Sequence, residues 1–373
     1  MSRLGSLGHR LYQGEVGYDF VGKRKIWYGV SILITITAIV ALAVQGLNMG
    51  IEFKGGAVLT TPKTDLSVSR VQEEAEQASG HDAIVQKLGD GTMRIQISGL
   101  DTDAAGEVRQ DLAETLGVKA NDIAADLVGP SWGEQIANKA WTGLGVFMVL
   151  VVIYLAIAFE WRMAVAALIA LIHDLTITVG VYALVGFEVT PGTVIGLLTI
   201  LGYSLYDTVV VFDGLKEGSR DITKQTRFTY SEIANRSLNG TLVRSINTTV
   251  VALLPVAGLL FIGGGFLGAG MLNDISLSLF VGLAAGAYSS IFIATPLVAD
   301  LKERDPQMKA LKKRVLAKRA AAAAKGEWAD QPTPGEPQDG HPVGDDEEET
   351  AGAVVGQRRQ PTPRGGRGRG KRR

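Results

Sequence analysis

The sequence of 373 residues has no cysteine, only four histidines and few charged residues. The absence of cysteine excludes disulfides, thiolate metal sites and cysteine nucleophiles. The histidines show no HExxH or paired spacing, and the sequence contains neither a GxxxxGK[ST] phosphate loop nor a G-x-S-x-G elbow. We therefore expect no covalent catalysis, no bound metal and no cofactor.

Long apolar runs take the place of those motifs, since 46% of the residues are hydrophobic and 20% are charged. Six runs are long enough to cross about 30 Å of hydrocarbon at about 1.5 Å per residue. They are residues 26–45, 140–159, 163–186, 194–213, 241–262 and 275–299. The sequence therefore predicts a polytopic α-helical membrane protein with six spans.

The polar stretch between the first two spans predicts a folded domain. Strands are expected at residues 57–61, 83–88, 93–97 and 123–128, where apolar residues alternate or cluster between turns. Two helices are expected between them, beginning at Ser69 and Asp103 and ending at Gly80 and Gly117. The resulting order β-α-β-β-α-β is typical of an α+β ferredoxin-like fold.

Lysine and arginine predict the orientation, because cytoplasmic loops retain them. They precede the first span, fill alternate loops and follow the last span at Lys302 and Arg304, whereas the loops around Glu188 and Asp274 have none. Both termini are then cytoplasmic and the domain is extracytoplasmic. The expected segments are an N-terminal segment (1–25), the first span (26–46), the domain (47–138), a five-span bundle (139–301) and a tail (302–373).

The net charge of −1 is the sum of segments that carry opposite charges. Residues 47–138 carry seven basic and fifteen acidic residues, a formal charge of −8, whereas residues 302–373 carry +6. The tail is rich in Pro, Gly and Glu and ends in an Arg-Gly stretch, a composition that predicts solvated disorder after a short helix. Its charge would also suit membrane lipids, and no specific nucleic acid is expected.

Ionisable side chains inside spans are costly and therefore informative. Asp207 lies in the fourth span and Arg244 opens the fifth, so we expect the two to pair. Opposite charge favours the ionised carboxylate whereas burial disfavours it, and a group balanced in this way can load and release a proton. The alternatives are a static ion pair that fixes the helix register, or a position of both residues near the cytoplasmic end, where they reach water.

Further polar residues in the spans are secondary candidates for the same proton-coupling site as Asp207 and Arg244. His173 and Asp174 are adjacent in the third span and point about 100° apart on a helix, so a structural role is favoured over a relay. The other candidates are Tyr203, Ser204, Thr208, Asn247 and Thr248.

Several motifs together resemble the SecF family of the bacterial Sec translocon, within the resistance-nodulation-division superfamily. They lie at residues 50–56, 128–134, 170–174, 202–213, 235–249 and 288–294. The motif after the first span contributes Gly50, Glu52, Phe53, Gly55 and Gly56. Two departures from the family pattern are Glu52 in place of aspartate and Tyr206 in place of asparagine.

The resemblance implies a subunit of a bacterial cytoplasmic membrane that works with SecD to couple the proton-motive force to polypeptide export. It assigns that coupling to Asp207 and Arg244. The implied partners are SecD, the SecYEG channel, YajC and secreted polypeptides. Two alternatives stay open at this point: half of a proton-driven exporter of small molecules or lipids, and a passive scaffold of the translocon.

Overall fold

The computed structural model describes residues 17–264 and 270–324. The predicted tail beyond residue 324 and most of the segment before the first span lie outside the described residues. In chain order the main elements are α1 (Arg24–Gln45), β1 (Asn48–Met49), α2 (Ile51–Lys54), β2 (Gly56–Thr60), α3 (Val68–Ser79), β3 (Ala83–Lys87), β4 (Met93–Ser98), α4 (Thr102–Leu116), β5 (Ala124–Val128), α5 (Pro130–Ala158), α6 (Trp161–Val185), β6 (Glu188–Val189), α7 (Pro191–Gly218), α8 (Tyr230–Gly258), α9 (Gly270–Ser289), α10 (Thr295–Glu303) and α11 (Pro306–Ala324).

Six helical segments in the described part of the chain are long and apolar enough to cross a membrane, which confirms the predicted number. From the first span to the sixth they are Arg24–Gln45, Ser131–Ala158, Trp161–Val185, Pro191–Lys224, Tyr230–Gly263 and Asn273–Glu303. Several extend beyond the predicted apolar runs because their polar ends are capped. Thr190 and Thr229 each form a capping box at the start of the fourth and fifth spans.

Residues 56–128 form a small α+β unit that we call the sheet domain. Its four antiparallel strands lie in the order β3-β4-β2-β5, and the helices α3 and α4 follow the order of elements that the sequence predicts. The core lies between the sheet and these helices. Its buried side chains include Leu59, Val71, Ala75, Ile95, Ile97, Val108 and Leu112.

Both predicted helix starts in the sheet domain were two residues late. Ser67, rather than Ser69, caps α3 and accepts a hydrogen bond from the backbone of Arg70, and Asp101, rather than Asp103, caps α4. Each earlier residue adopts extended backbone geometry and brings a side-chain oxygen to the free N–H groups of the first turn. The predicted ends at Gly80 and Gly117 are confirmed, since both adopt the left-handed conformation.

Just before the sheet domain, a short parallel pairing holds the chain against the bundle. In β1 and β6, Asn48 pairs with Glu188 and Met49 with Val189, so the chain leaving the first span is tied to the connection between the third and fourth spans. The single turn α2 packs against the start of α5 so closely that a Cβ atom on Gly133 would lie 2.9 Å from the carbonyl oxygen of Phe53.

At the opposite end of the bundle, α11 folds back against the connection between the fourth and fifth spans. Met308, Leu311 and Val315 are buried on one face of this helix. Arg319 forms a two-pronged ion pair with Glu232, with nitrogen–oxygen distances of 2.7 and 2.9 Å. The short helix expected at the start of the tail is therefore present and packed.

The first and third spans pack closely at Gly180. A Cβ atom there would overlap the Cβ atom of Ala38 and lie 2.7 Å from its Cα atom. Gly180→Val should therefore force the two spans apart and destabilise the protein by about 1–3 kcal/mol. Thermal unfolding in detergent measures the loss, and Gly258→Val is the matched control because its added side chain starts in open space. Equal melting temperatures for the two variants would contradict this packing.

Candidate functional site

Asp207 lies near the middle of the fourth span and is only 5% exposed. Ser245 of the fifth span donates a hydrogen bond to Oδ1 at 2.8 Å, and Ser290 of the sixth span donates to Oδ2 at 2.6 Å. The carboxyl group therefore connects three spans through two hydroxyl groups. A serine hydroxyl can donate to a carboxylate or accept from a protonated carboxyl, so this arrangement can serve either protonation state of Asp207.

Arg244 does not form the expected ion pair with Asp207. Its guanidinium is exposed on the surface of the fifth span, and Nη2 lies 3.4 Å from the hydroxyl of Tyr206. The prediction was wrong because the adjacent residue, Ser245, faces the interior instead. Consecutive residues on a helix point about 100° apart, so Ser245 and Arg244 cannot both face the carboxylate.

Asp174 is a second buried carboxyl group and has no exposed surface. Its Oδ2 accepts hydrogen bonds from Ser204 of the fourth span at 2.6 Å and from Ser289 of the sixth span at 2.8 Å. Oδ1 lies 3.6 Å from Nδ1 of His173 and has no hydrogen-bond partner among the described residues. The ring of His173 stacks on Tyr288 with a centroid distance of 6.1 Å.

The two carboxyl groups are bridged by consecutive serines of the sixth span. Ser289 contacts Asp174 and Ser290 contacts Asp207, at the point where α9 passes into a π-helical segment, Ser290–Ala294. Proline lacks an amide hydrogen and clashes with the preceding turn of a helix, so Pro296 accounts for irregular geometry here. A change in protonation at either carboxyl group would therefore act on the same irregular turn.

The remaining secondary candidates lie on the same helices but not all in the interior. The hydroxyl of Tyr203 donates to the backbone oxygen of Thr248 at 2.8 Å, which ties the fourth span to the fifth. Thr208 is buried, whereas Asn247 is exposed close to Arg244 in the chain. Sequence reasoning overlooked Ser245, Ser289 and Ser290, although hydroxyl groups in apolar spans were a usable signal.

The motif after the first span lies at the junction with the sheet domain and not with Asp207. Gly55 and Gly56 have φ values of 78° and 143°, which favour glycine, and a Cβ atom on Gly56 would overlap the backbone of β4. Phe53 is buried in α2. A Cβ atom on Gly50 would lie 2.5 Å from the carboxylate of Glu52. These residues fix the route of the chain from the membrane into the sheet.

We expect Asp174→Asn and Asp174→Ala to differ strongly in stability. Asparagine retains an oxygen that can accept from Ser204 and Ser289, whereas alanine leaves the buried hydroxyl of Ser204 unpaired, at about 1–3 kcal/mol, and leaves Ser289 only the backbone oxygen of Gly286 as an acceptor. Thermal unfolding should therefore show a clear loss for the alanine variant alone. Equal unfolding temperatures for the two variants would show that these hydrogen bonds contribute nothing measurable.

The fold and the site define a polytopic membrane protein with a sheet domain after its first span and buried carboxyl groups held between spans. Residues 108–304 match the family described as protein export membrane protein SecD/SecF, C-terminal, and residues 40–62 match the SecD/SecF GG motif. Protein translocase subunit SecF of Streptomyces coelicolor is 76% identical over the whole of both chains. SecF of Mycobacterium tuberculosis is 41% identical over 86% of this chain and 76% of its own length.

Solved structures agree with these relatives. A crystal structure of SecDF from Thermus thermophilus is 30% identical and superimposes with a TM-score of 0.69, covering 78% of this chain and 39% of that one. The chain belongs to the SecD/SecF family of protein-export membrane proteins. It is an integral membrane protein and an accessory subunit of the Sec translocase, and the exporter alternative is not favoured. The fused SecDF relatives indicate a partnership with SecD.

Proposed function

We propose that this subunit, together with SecD, couples proton flow to the export of polypeptides, with Asp207 as the residue that binds the proton. The observation that carries the proposal is the position of Asp207, buried in mid-span and hydrogen-bonded by serines from two other spans. Ionisable residues at such positions mark proton relays in membrane proteins because an uncompensated charge there is costly. Proton binding changes the charge at the point where three spans meet.

Arg244 supports the second part of the proposal, which concerns SecD. An exposed guanidinium in mid-span is unfavourable against lipid by about 2.5–3.5 kcal/mol or more, so this surface suits a protein partner that supplies an acidic group. Tyr206, Asn247 and Thr248 add polar groups to the same face. SecD therefore docks against the fourth and fifth spans, where its own polar groups complete the proton path.

Asp174 is the secondary group in this proposal. Its carboxyl group accepts from Ser289, which is adjacent in the sixth span to Ser290, the partner of Asp207, so proton binding at either site acts on the same turn of that span. His173 contacts the edge of this cluster and stays a secondary candidate. In our proposal both residues position the sixth span, and Asp207 carries the proton.

We also infer the membrane location, the orientation and the further partners of the subunit. The bacterial SecF relatives support a location in the cytoplasmic membrane, and the distribution of lysine and arginine supports an orientation with both termini in the cytoplasm. The sheet domain is then extracytoplasmic, and its strand order supports the ferredoxin-like assignment. SecYEG supplies the channel, YajC is an associated subunit, and secreted polypeptides contact the sheet domain as they emerge.

Proton uptake by vesicles that contain this subunit and SecD tests the proposal against the passive-scaffold alternative. Under an imposed proton gradient, wild-type vesicles should take up protons and Asp207→Asn vesicles should not. Asp213→Asn is the matched control, because Asp213 lies on the same helix but is exposed. A passive scaffold would give no uptake that depends on Asp207.

A further inference from the structure

The sheet domain is fixed to the bundle through a buried carboxylate in β6. Glu188 lies between the third and fourth spans and is 6% exposed. With its amide oriented so that both atoms have partners, Gln96 of β4 donates to both carboxylate oxygens of Glu188, at 2.7 Å for Oε2, and accepts from the backbone of Ile51 at 3.3 Å. Arg94 of the same strand lies 4.0 Å from Glu188. One carboxylate thus receives contacts from two side chains of the sheet domain.

Two further carboxyl groups surround this contact. Asp274, at the start of the sixth span, is 8% exposed, and its Oδ2 has no hydrogen-bond partner among the described residues. Glu52 of α2 also has a buried oxygen, Oε2, without a described partner. The charges of Glu52 and Glu188 both act on Asp274.

The charges in this cluster do not balance. Arg94 is the cation that faces Glu188 and Asp274 within the described part of the chain. Tyr182 of the third span faces them as well, and its hydroxyl donates to the backbone oxygen of Asp274 at 2.7 Å. If every carboxyl group were ionised, three negative charges would lie close together in a largely buried site, with one guanidinium opposing two of them. Like charges in such a site favour retention of a proton.

We propose that Glu188, flanked by the carboxyl groups of Asp274 and Glu52, acts as a proton-binding latch that holds the sheet domain against the bundle. Burial raises the pKa of Glu188, Arg94 opposes that rise, and Glu52 adds to it. When the domain lifts away, Glu188 meets water and its pKa returns to the ordinary value. The docked state therefore binds the proton more tightly than the released state does.

The sign of the pH dependence follows from that difference. Protonation favours docking, so the latch is strongest below the ordinary pKa of a glutamate and weakens as the pH rises through the raised pKa of docked Glu188. The latch deepens the proposed function, because a proton-rich outer compartment would hold the domain and loss of the proton would release it. Its proton binding does not require Asp207.

Spin-label distance measurements on the complex with SecD in lipid nanodiscs test the latch. The chain has no native cysteine, so Lys87→Cys on β3 and Val185→Cys at the end of the third span can be labelled specifically. Both positions are exposed. As the pH rises, a population with a longer distance should grow at the expense of the docked one.

Three variants make this test decisive. Glu188→Gln should lose the pH response and stay docked, because glutamine is neutral and still pairs with Gln96. Arg94→Gln should shift the midpoint of release to higher pH, since the guanidinium no longer favours the ionised form. The exposed carboxylate variant Glu107→Gln should behave like wild type.

A pH response in Glu188→Gln equal to that of wild type would overturn the latch, as would a wild-type distance that does not change with pH. A different result would contradict the proposed function and leave the latch intact. Asp207→Asn would then export normally, whereas Glu188→Gln would still lose its pH response. Asp207→Asn should itself retain pH-dependent docking.

Discussion

Asp207→Asn should abolish the proton-driven component of polypeptide export while the subunit still folds and associates with SecD. Asparagine is close to aspartate in size, and its amide oxygen can accept from one of the two serines, Ser245 and Ser290, while its NH2 group donates to the hydroxyl of the other, so the contacts between the three spans survive. What is lost is the group that can be charged. One charge moving through a potential of 100 mV supplies about 2.3 kcal/mol, and a subunit without this group cannot use that energy, so the proton-dependent stimulation should disappear.

Export into inverted membrane vesicles, with and without a proton gradient, measures this effect. The rate without a gradient should be the same for Asp207→Asn and wild type, and only the stimulated part should disappear. Asp213→Asn should keep the stimulation, because the carboxylate of Asp213 is exposed and is not part of the buried site around Asp207. Full stimulation in Asp207→Asn would assign the coupling to another group.

Arg244→Ala should weaken the association with SecD and stop proton uptake. The exposed guanidinium of Arg244 has Tyr206 as its hydrogen-bond partner in the described part of the chain, so we expect an acidic group of SecD to pair with it in the complex. Removal of one member of a buried pair leaves the other charge uncompensated, at a cost of about 3–5 kcal/mol. Recovery of SecD with the tagged subunit should fall by about tenfold or more.

Two further variants, Arg244→Lys and Arg220→Ala, serve as controls for that experiment. Lysine keeps the charge but lacks the planar fork of arginine, so Arg244→Lys should recover part of the association. Arg220 is exposed beyond α7, and its replacement should leave the complex intact. If Arg244→Ala retained SecD and proton uptake at wild-type levels, the fourth and fifth spans would not be the docking face.

The sequence predicts the architecture well because hydrophobic length and alternation are local properties. The six apolar runs correspond to the six spans. The strands and helices of the sheet domain occur in the order that the sequence predicts. The helix caps were displaced by two residues, because Ser67 and Ser69 are equally good capping residues and only backbone geometry chooses between them.

The pairing of side chains across spans could not be predicted in the same way. Spacing places Asp207 on a face of its own helix, but the rotation of the neighbouring helix decides whether Arg244 or Ser245 meets it. The contact between Gln96 and Glu188 joins residues of separate units of the fold. Neither residue belongs to a local motif that would reveal the partner.

Infrared difference spectroscopy tests the central claim, a change in protonation at Asp207 inside the bundle. The complex with SecD in nanodiscs would be cycled between acidic and alkaline buffer, and the carboxyl stretching region compared between wild type and Asp207→Asn. We expect one band of a protonated carboxyl group in wild type that is absent in Asp207→Asn and retained in Asp213→Asn. Identical spectra for wild type and Asp207→Asn across the whole pH range would contradict the account.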